Sequence, residues 1–276
     1  MNVAMLKLKT IDLTPRIGTE IQSDVDTLLS GKYAAEIREL LEQRGVLIFR
    51  ELGLTEEQQK VFSNTLGKPM QQNGKVVLNI SLDKGLNGAL AAYLEGSFYW
   101  HIDLSTADVP SRASLLTARK LSQTGGDTLF ANTYAAWDDL PESKKKEIEN
   151  LRVVHTFENS QRVFKPNPTY AELLEWQEKK PKTHPLVWTH QSGRKSLVLG
   201  MTASHVEGMS LEEGRLLLCW LNEWASQPQF VYTHKWKVGD LLIWDNTGCM
   251  HRVEPYPFDS GRLMTRTTLE GEERVA

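Results

Sequence analysis

The chain has 276 residues, 40% of them hydrophobic and 24% charged, with a formal net charge of −3. That is the balance of an ordinary globular protein able to bury a substantial core, and it excludes a strongly basic nucleic-acid surface or a polybasic membrane anchor. Two cysteines are too few for a disulfide framework and fit a reducing cytoplasm, and neither the start MNVAMLKLKT nor any later stretch has the apolar length of a signal peptide or a bilayer span.

In chain order, Ile37, Leu40 and Leu41 at helical spacing predict a helix over 33–44, ended by Gly45 and followed by an apolar strand, VLIFR, at 46–50. Thr55 and Gln58 form a capping-box pattern that opens a second helix, EEQQKVFSNTLG, closed by Gly67. Short β-rich runs (KVVLNISL, RASLLTAR, TLFAN) occupy 75–133, interrupted by the Gly-rich, aromatic-tipped segment 83–98, a candidate lid. Pro141 opens a helix over 141–152 whose lysines read as a solvated face. Strand-like runs follow at 152–157 and, past a polar insertion at 160–182, at 183–201. Residues 210–227 make one amphipathic helix with Cys219 on its buried face, and strands return in FVYTHKWKVGDLLIWDN, HRVEP and RLMTRTTLEG, with Cys249 in a strand near the site. No linker or repeat divides the chain. Strands and helices do not alternate, which predicts a mainly β protein with flanking helices around an antiparallel jelly roll.

His101 and Asp103, in YWHIDLSTAD, lie two positions apart in what reads as an exposed strand end, where both side chains would face one shared object such as a divalent metal. An H-x-D triplet also arises by chance as a solvated pair, so partners are required. Of the other histidines, His155, His184, His205 and His234 read as ordinary, whereas His251 follows GDLLIWDNTGCM, in which a loop delivers it to a strand start. Two histidines and a carboxylate on one face of an octahedral iron leave the opposite face open, the ligand set of non-haem Fe(II) oxygenases; a zinc hydrolase could use the same residues. Arg262 stands eleven residues after His251, with Arg266 four further on. A turn at 255–261 predicts a hairpin that returns Arg262 to the metal site, where its planar guanidinium suits a carboxylate; a structural ion pair is the bland alternative. Thr128 adds a hydroxyl after the Gly125-Gly126 turn.

Taken together, H-x-D at 101–103, GGDT at 125–128, GDLLIWDN leading to His251, and R-x-x-x-R at 262–266 resemble the taurine dioxygenase and 2,4-dichlorophenoxyacetate dioxygenase family of Fe(II)/2-oxoglutarate enzymes. Within it, THQSGRKSLVLG, ASHVEGM and EGRLLL resemble the aryloxyalkanoate branch. The resemblance spans nearly the whole chain and implies a single domain over 1–276 with a double-stranded β-helix (jelly-roll, cupin-like) core. It implies His101, Asp103 and His251 as ligands of Fe(2+), Thr128 and Arg262 as the 2-oxoglutarate site, O2 as co-reactant, Arg266 at the anionic end of the prime substrate, and His190 nearby. Ser97 stands where taurine enzymes carry Asn, which argues against taurine. Ser97 and Tyr99, with Tyr93, Phe98 and Lys75 or Lys84 close by, point to a small organic anion, a carboxylate with an apolar or aromatic body. An alkyl sulfonate or sulfate ester is the alternative substrate, and a zinc-dependent hydrolase the alternative chemistry. The implied partners are a small-molecule substrate and copies of the chain in a dimer or tetramer, with no nucleic acid and no membrane.

Overall fold

A computed structural model of the chain describes residues 8–72, 74–87 and 90–276. The elements in order are β1 (Lys9–Asp12), β2 (Thr19–Gln22), α1 (Val25–Leu29), α2 (Ala34–Arg44), β3 (Val46–Phe49), α3 (Glu56–Leu66), β4 (Leu78–Ile80), α4 (Lys84–Asn87) and α5 (Leu90–Leu94). After a 3-10 turn at Glu95–Phe98 come β5 (Ala113–Lys120), β6 (Thr128–Asn132), α6 (Thr133–Asp138), α7 (Glu142–Ile148), β7 (Arg152–His155), α8 (Phe157–Arg162) and α9 (Tyr170–Gln177). The chain ends with β8 (Lys182–Pro185), β9 (Val187–Thr189), β10 (Lys195–Leu197), β11 (Ala203–Val206), α10 (Leu211–Ala225), β12 (Val231–His234), β13 (Leu241–Asp245), β14 (Cys249–Val253) and β15 (Leu263–Leu269).

A large sheet in the order β1-β2-β3-β13-β5-β15-β4 faces a small one in the order β12-β6-β14, and both are antiparallel apart from the β2/β3 pair. This is the jelly roll that the absence of strand–helix alternation predicts. Alternate residues of the central strands explain the layering, because side chains i and i+2 share a face. Leu47, Phe49, Leu115, Leu241 and Ile243 face outward from the large sheet onto Ile37, Leu41, Phe62 and Leu66 of α2 and α3. Their neighbours Val46, Ile48, Leu116, Leu242 and Trp244 face inward and meet Phe130 and Tyr232 of the small sheet. On that sheet's outer side, Ala131 and Met250 pack with Leu217, Leu218 and Leu221 of α10.

Local signals hold well for the N-terminal helices. Thr55 and Gln58 satisfy each other's backbone groups in a reciprocal cap. The segment expected as a lid over 83–98 is helical where it is described, with residues 88 and 89 outside the described ones. The insertion at 160–182 contributes α9, packed on α8. One expectation fails on α10: Cys219 is exposed rather than buried, because this helix carries apolar residues on both faces and it is Gly214, Leu217, Leu218, Leu221 and Ala225 that turn inward. Among the described residues, no helix is long and apolar enough to cross a membrane.

Candidate active site

Strand β14 carries His251 into the space between the sheets. It pairs with β6 so that His251 lies opposite Phe130, and the imidazole stands 4.7 Å from the Trp244 ring by centroids. The loop that precedes it is shaped by Asp245, whose Oδ1 accepts from the Thr247 backbone N–H at 2.8 Å and from Arg112 at 2.6 Å.

His101 docks on His251 through two backbone hydrogen bonds, His101 N–H to His251 O at 3.0 Å and His251 N–H to His101 O at 2.9 Å. This is a single bridge and not the end of a strand. The chain then turns, with Leu104 at φ 57°, and the turn rather than strand alternation brings Asp103 back to the histidines. Asp103 Oδ1 lies 3.9 Å from Nε2 of His101 and 3.9 Å from Nε2 of His251.

The protonation pattern follows from the partners. The Tyr99 carbonyl lies 2.8 Å from His101 Nδ1 and can only accept, so Nδ1 donates to it and Nε2 is the ring nitrogen turned toward Asp103. Burial, and then His101 beside it, push the His251 imidazole well below its ordinary pKa, which favours its neutral form. Burial alone would raise the Asp103 carboxyl, but the Arg266 guanidinium, His251, His101 and the Ser114 hydroxyl outweigh it and hold it well below the usual carboxylate range. Two imidazole nitrogens and an ionised carboxylate oxygen thus converge on one point, an arrangement that a cation would satisfy. Donors 3.9 Å apart can each stand about 2.0–2.2 Å from one ion between them, so this set fits a divalent metal.

A directional chain of hydrogen bonds orients the carboxylate. Trp244 Nε1–H donates to Asn246 Oδ1 at 2.8 Å, Asn246 Nδ2 donates to Ser114 Oγ at 3.1 Å, and Ser114 Oγ donates to Asp103 Oδ2 at 2.9 Å. Ser114 has one proton, and with Asn246 donating to it that proton must go to Asp103. Oδ2 is therefore capped, and Oδ1 faces the histidines.

These residues form the base of a cavity of about 230 Å3, with Thr128, Arg262 and Arg266 on its walls and Ser97, Tyr93 and Met201 around it. Arg262 is 3% exposed, lies over the Tyr256 ring at 4.7 Å, and donates to Gly126 O at 3.2 Å, while its Nε has no partner among the described residues. Gly126, at φ 85°, lets the backbone come so close that a β-carbon there would lie 3.0 Å from Arg262 Nε. Arg266 Nη1 is 3.7 Å from Asp103 Oδ1. A bulge between Leu263 and Met264 separates the two arginines, yet both line the cavity.

The segment joining His251 to Arg262 is not the expected hairpin. Strand β14 belongs to the small sheet and β15 to the large one, so residues 254–262 cross between sheets over the site. Two substrate expectations also fail on position. Tyr99 lines a neighbouring recess, and what it brings to the site is its carbonyl, 2.8 Å from His101 Nδ1. His190 is buried in a separate polar cavity of about 180 Å3, with Nε2 2.8 Å from Ser196 Oγ and Nδ1 3.5 Å from the Glu273 carboxylate. Its hairpin, β9–β10, packs on α6 rather than over the metal ligands. Lys75 and Lys84 are not among the residues lining the cavity. Sequence reasoning missed Ser114, Asn246, Trp236, Tyr256 and Met201; all lay in stretches singled out as strands or turns, with nothing in the local pattern to mark them as site residues.

A family model described as "Taurine catabolism dioxygenase TauD, TfdA family" matches residues 9–268. The chain is 38% identical over 258 residues to an alpha-ketoglutarate-dependent 2,4-dichlorophenoxyacetate dioxygenase of Burkholderia sp. (strain RASC), covering 86% of each chain. It is 30% identical over 238 residues to an (S)-phenoxypropionate/alpha-ketoglutarate-dioxygenase of Sphingobium herbicidovorans, covering 82% of each. Among solved structures, AAD-2 in complex with Mn(II) and N-oxalylglycine superposes with a TM-score of 0.84 at 34% identity, covering 98% of this chain and 100% of that one.

Proposed function

The chain belongs to the TauD/TfdA family and is an alpha-ketoglutarate-dependent dioxygenase that uses Fe(II), 2-oxoglutarate and O2, and from that premise we propose that it hydroxylates a small carboxylate with an apolar or aromatic body. The observation that carries this reading is the convergence of His101, Asp103 and His251 with two arginines on the wall of one cavity. Family membership leaves the zinc-hydrolase alternative without support.

In this reading His101 Nε2, His251 Nε2 and Asp103 Oδ1 would hold the iron. The iron, when bound, couples reduction of O2 and decarboxylation of 2-oxoglutarate to insertion of one oxygen into a substrate C–H bond, yielding succinate, CO2 and the hydroxylated product. The chain's own residues bind and orient. Arg262, dehydrated and stacked on Tyr256, grips the distal carboxylate of 2-oxoglutarate through its unpartnered face. Thr128 donates its hydroxyl proton to the same carboxylate. Arg266, close to the metal ligands but 22% exposed at its side chain, faces the anionic end of the substrate, with Ser97 above it. Ser114 occupies Asp103 Oδ2, so Oδ1 would be the oxygen offered to the metal. Tyr93 and Leu94 supply apolar wall for the substrate body. The whole of 1–276 acts as one catalytic domain.

The test is a panel of aryloxyacetates, aryloxypropionates, alkyl sulfonates and sulfate esters scored by succinate release above the substrate-free rate. Stimulation by aryloxyalkanoates is the expected result. Stimulation by sulfonates or sulfate esters alone overturns the carboxylate assignment.

A further inference from the structure

The cavity of about 230 Å3 is smaller than the roughly 300–1,000 Å3 of a typical small-molecule site, yet under the reading above it takes a five-carbon diacid and a second carboxylate together. Space for the rest of the substrate lies next to it. A recess of about 320 Å3, with Tyr99, Trp100, Val163, Leu218 and Cys219 on its walls, adjoins the cavity, and Met201 lines both.

We propose that Met201 is a movable partition and that this recess is a second subsite, taking the distal apolar end of a carboxylate longer than a single ring. The inference rests on the proposed function of the cavity. The backbone at the partition is pinned: Met201 N–H donates to Trp100 O at 2.8 Å, and Asn159 Nδ2 donates to Met201 O at 2.8 Å. The side chain is held differently. Its Cε rests against Gly96 of the 3-10 turn, 3.1 Å from where a β-carbon on Gly96 would sit, so glycine there leaves the thioether its room. Methionine is unbranched, has three rotatable bonds and gives up no hydrogen bond when it moves, so it suits a wall that yields to a hydrocarbon tail. Tyr99, Trp100, Val163 and Leu218 give the recess an apolar wall, with Arg215 and Asn222 also on its lining, and each methylene buried against that wall tightens binding up to about four-fold.

The experiment uses the iron-loaded enzyme with phenoxyacetate and its 4-n-alkyl derivatives from methyl to hexyl, scored by the KM for succinate release. In the natural chain KM falls as the tail grows. Met201→Trp removes that fall, and Met201→Ala steepens it. Identical chain-length profiles in all three proteins overturn the partition. A second readout needs no variant. Cys219 is exposed on the recess wall whereas Cys249 is buried, so alkylation by N-ethylmaleimide, followed by mass spectrometry under nitrogen, reports occupancy of the recess. The hexyl compound slows labelling of Cys219 several-fold and phenoxyacetate does not; equal rates with both overturn the subsite. Tail length is varied at a fixed head group, so a preference for sulfonate over carboxylate refutes the substrate class alone, whereas carboxylate turnover without tail dependence refutes the partition alone.

Discussion

Trp236 donates its indole N–H to the Thr128 hydroxyl oxygen at 2.9 Å, at the wall of the catalytic cavity. An indole nitrogen only donates, so this bond occupies a lone pair of Thr128 and leaves its single proton free to point at a ligand. Trp236→Phe removes the bond with little change of shape. One neutral hydrogen bond amounts to about 1 kcal/mol, so the KM for 2-oxoglutarate is expected to rise roughly five-fold. Iron affinity stays as it was, as measured by metal titration; a weakened metal site with unchanged cosubstrate KM would contradict the assignment.

Ser114→Ala uncaps Asp103 Oδ2, which has Ser114 as its hydrogen-bond partner. Loss of a group that orients a metal ligand typically lowers affinity about 10- to 100-fold. Titration with Co(II), read in the visible spectrum, checks this without turnover. Ser114→Thr keeps a hydroxyl and should restore most of the affinity.

Arg262→Lys keeps the charge and loses the planar fork. A lost hydrogen bond between charged groups corresponds to about 1.5–3 kcal/mol, so the KM for 2-oxoglutarate should rise about 10- to 100-fold while iron still binds. Addition of 2-oxoglutarate to the anaerobic Fe(II) enzyme produces a weak visible charge-transfer band, and its midpoint measures the shift directly. A midpoint equal to that of the natural chain would show that another residue grips the cosubstrate.

The Asp240 carboxylate braces the strand end behind Trp236. It accepts from His234 Nε2 at 3.0 Å, from the backbone N–H of Lys237 at 3.0 Å and from that of Glu51 at 2.9 Å, and the His234 ring lies edge-on to Trp236 at 4.6 Å. Burial raises its pKa, but those donors prevail and bring it from 3.8 down to about 2. A folded-state pKa below the unfolded one contributes stability that is fully present above about pH 4 and is lost as pH falls through about 2. The contribution is on the order of 2 kcal/mol. Urea midpoints taken from pH 5 to pH 2 should fall less steeply in Asp240→Asn than in the natural chain; parallel curves would assign the acid sensitivity elsewhere.

Much of this architecture was written in local pattern. The helix–Gly45–strand run, the Thr55 cap and the period-two strands locate both faces of the jelly roll, because each depends on neighbours within a few residues. The order of His101, Asp103, His251, Arg262 and Arg266 was legible for the same reason. What escaped depends on long-range closure. A turn rich in Pro and Gly between 255 and 261 looks the same whether it joins strands of one sheet or spans two. The Trp236 contact with Thr128 and the Ser114 contact with Asp103 join residues that only the packed sheets bring together. His190 went astray because adjacency in a motif says nothing about which side of a hairpin a ring occupies.

The cavity draws its two halves from different stretches of chain. The groups proposed for metal and cosubstrate come from 101–128 and 251–266, whereas Ile80, Tyr93, Leu94 and Ser97 of an earlier stretch also line the cavity. Selectivity and reactivity are therefore separately editable. Grafting a relative's 78–98 into this scaffold would reshape the wall around the substrate body while Arg266 and the histidines stay in place, a modularity that gives one scaffold room to diversify its substrates without rebuilding its chemistry.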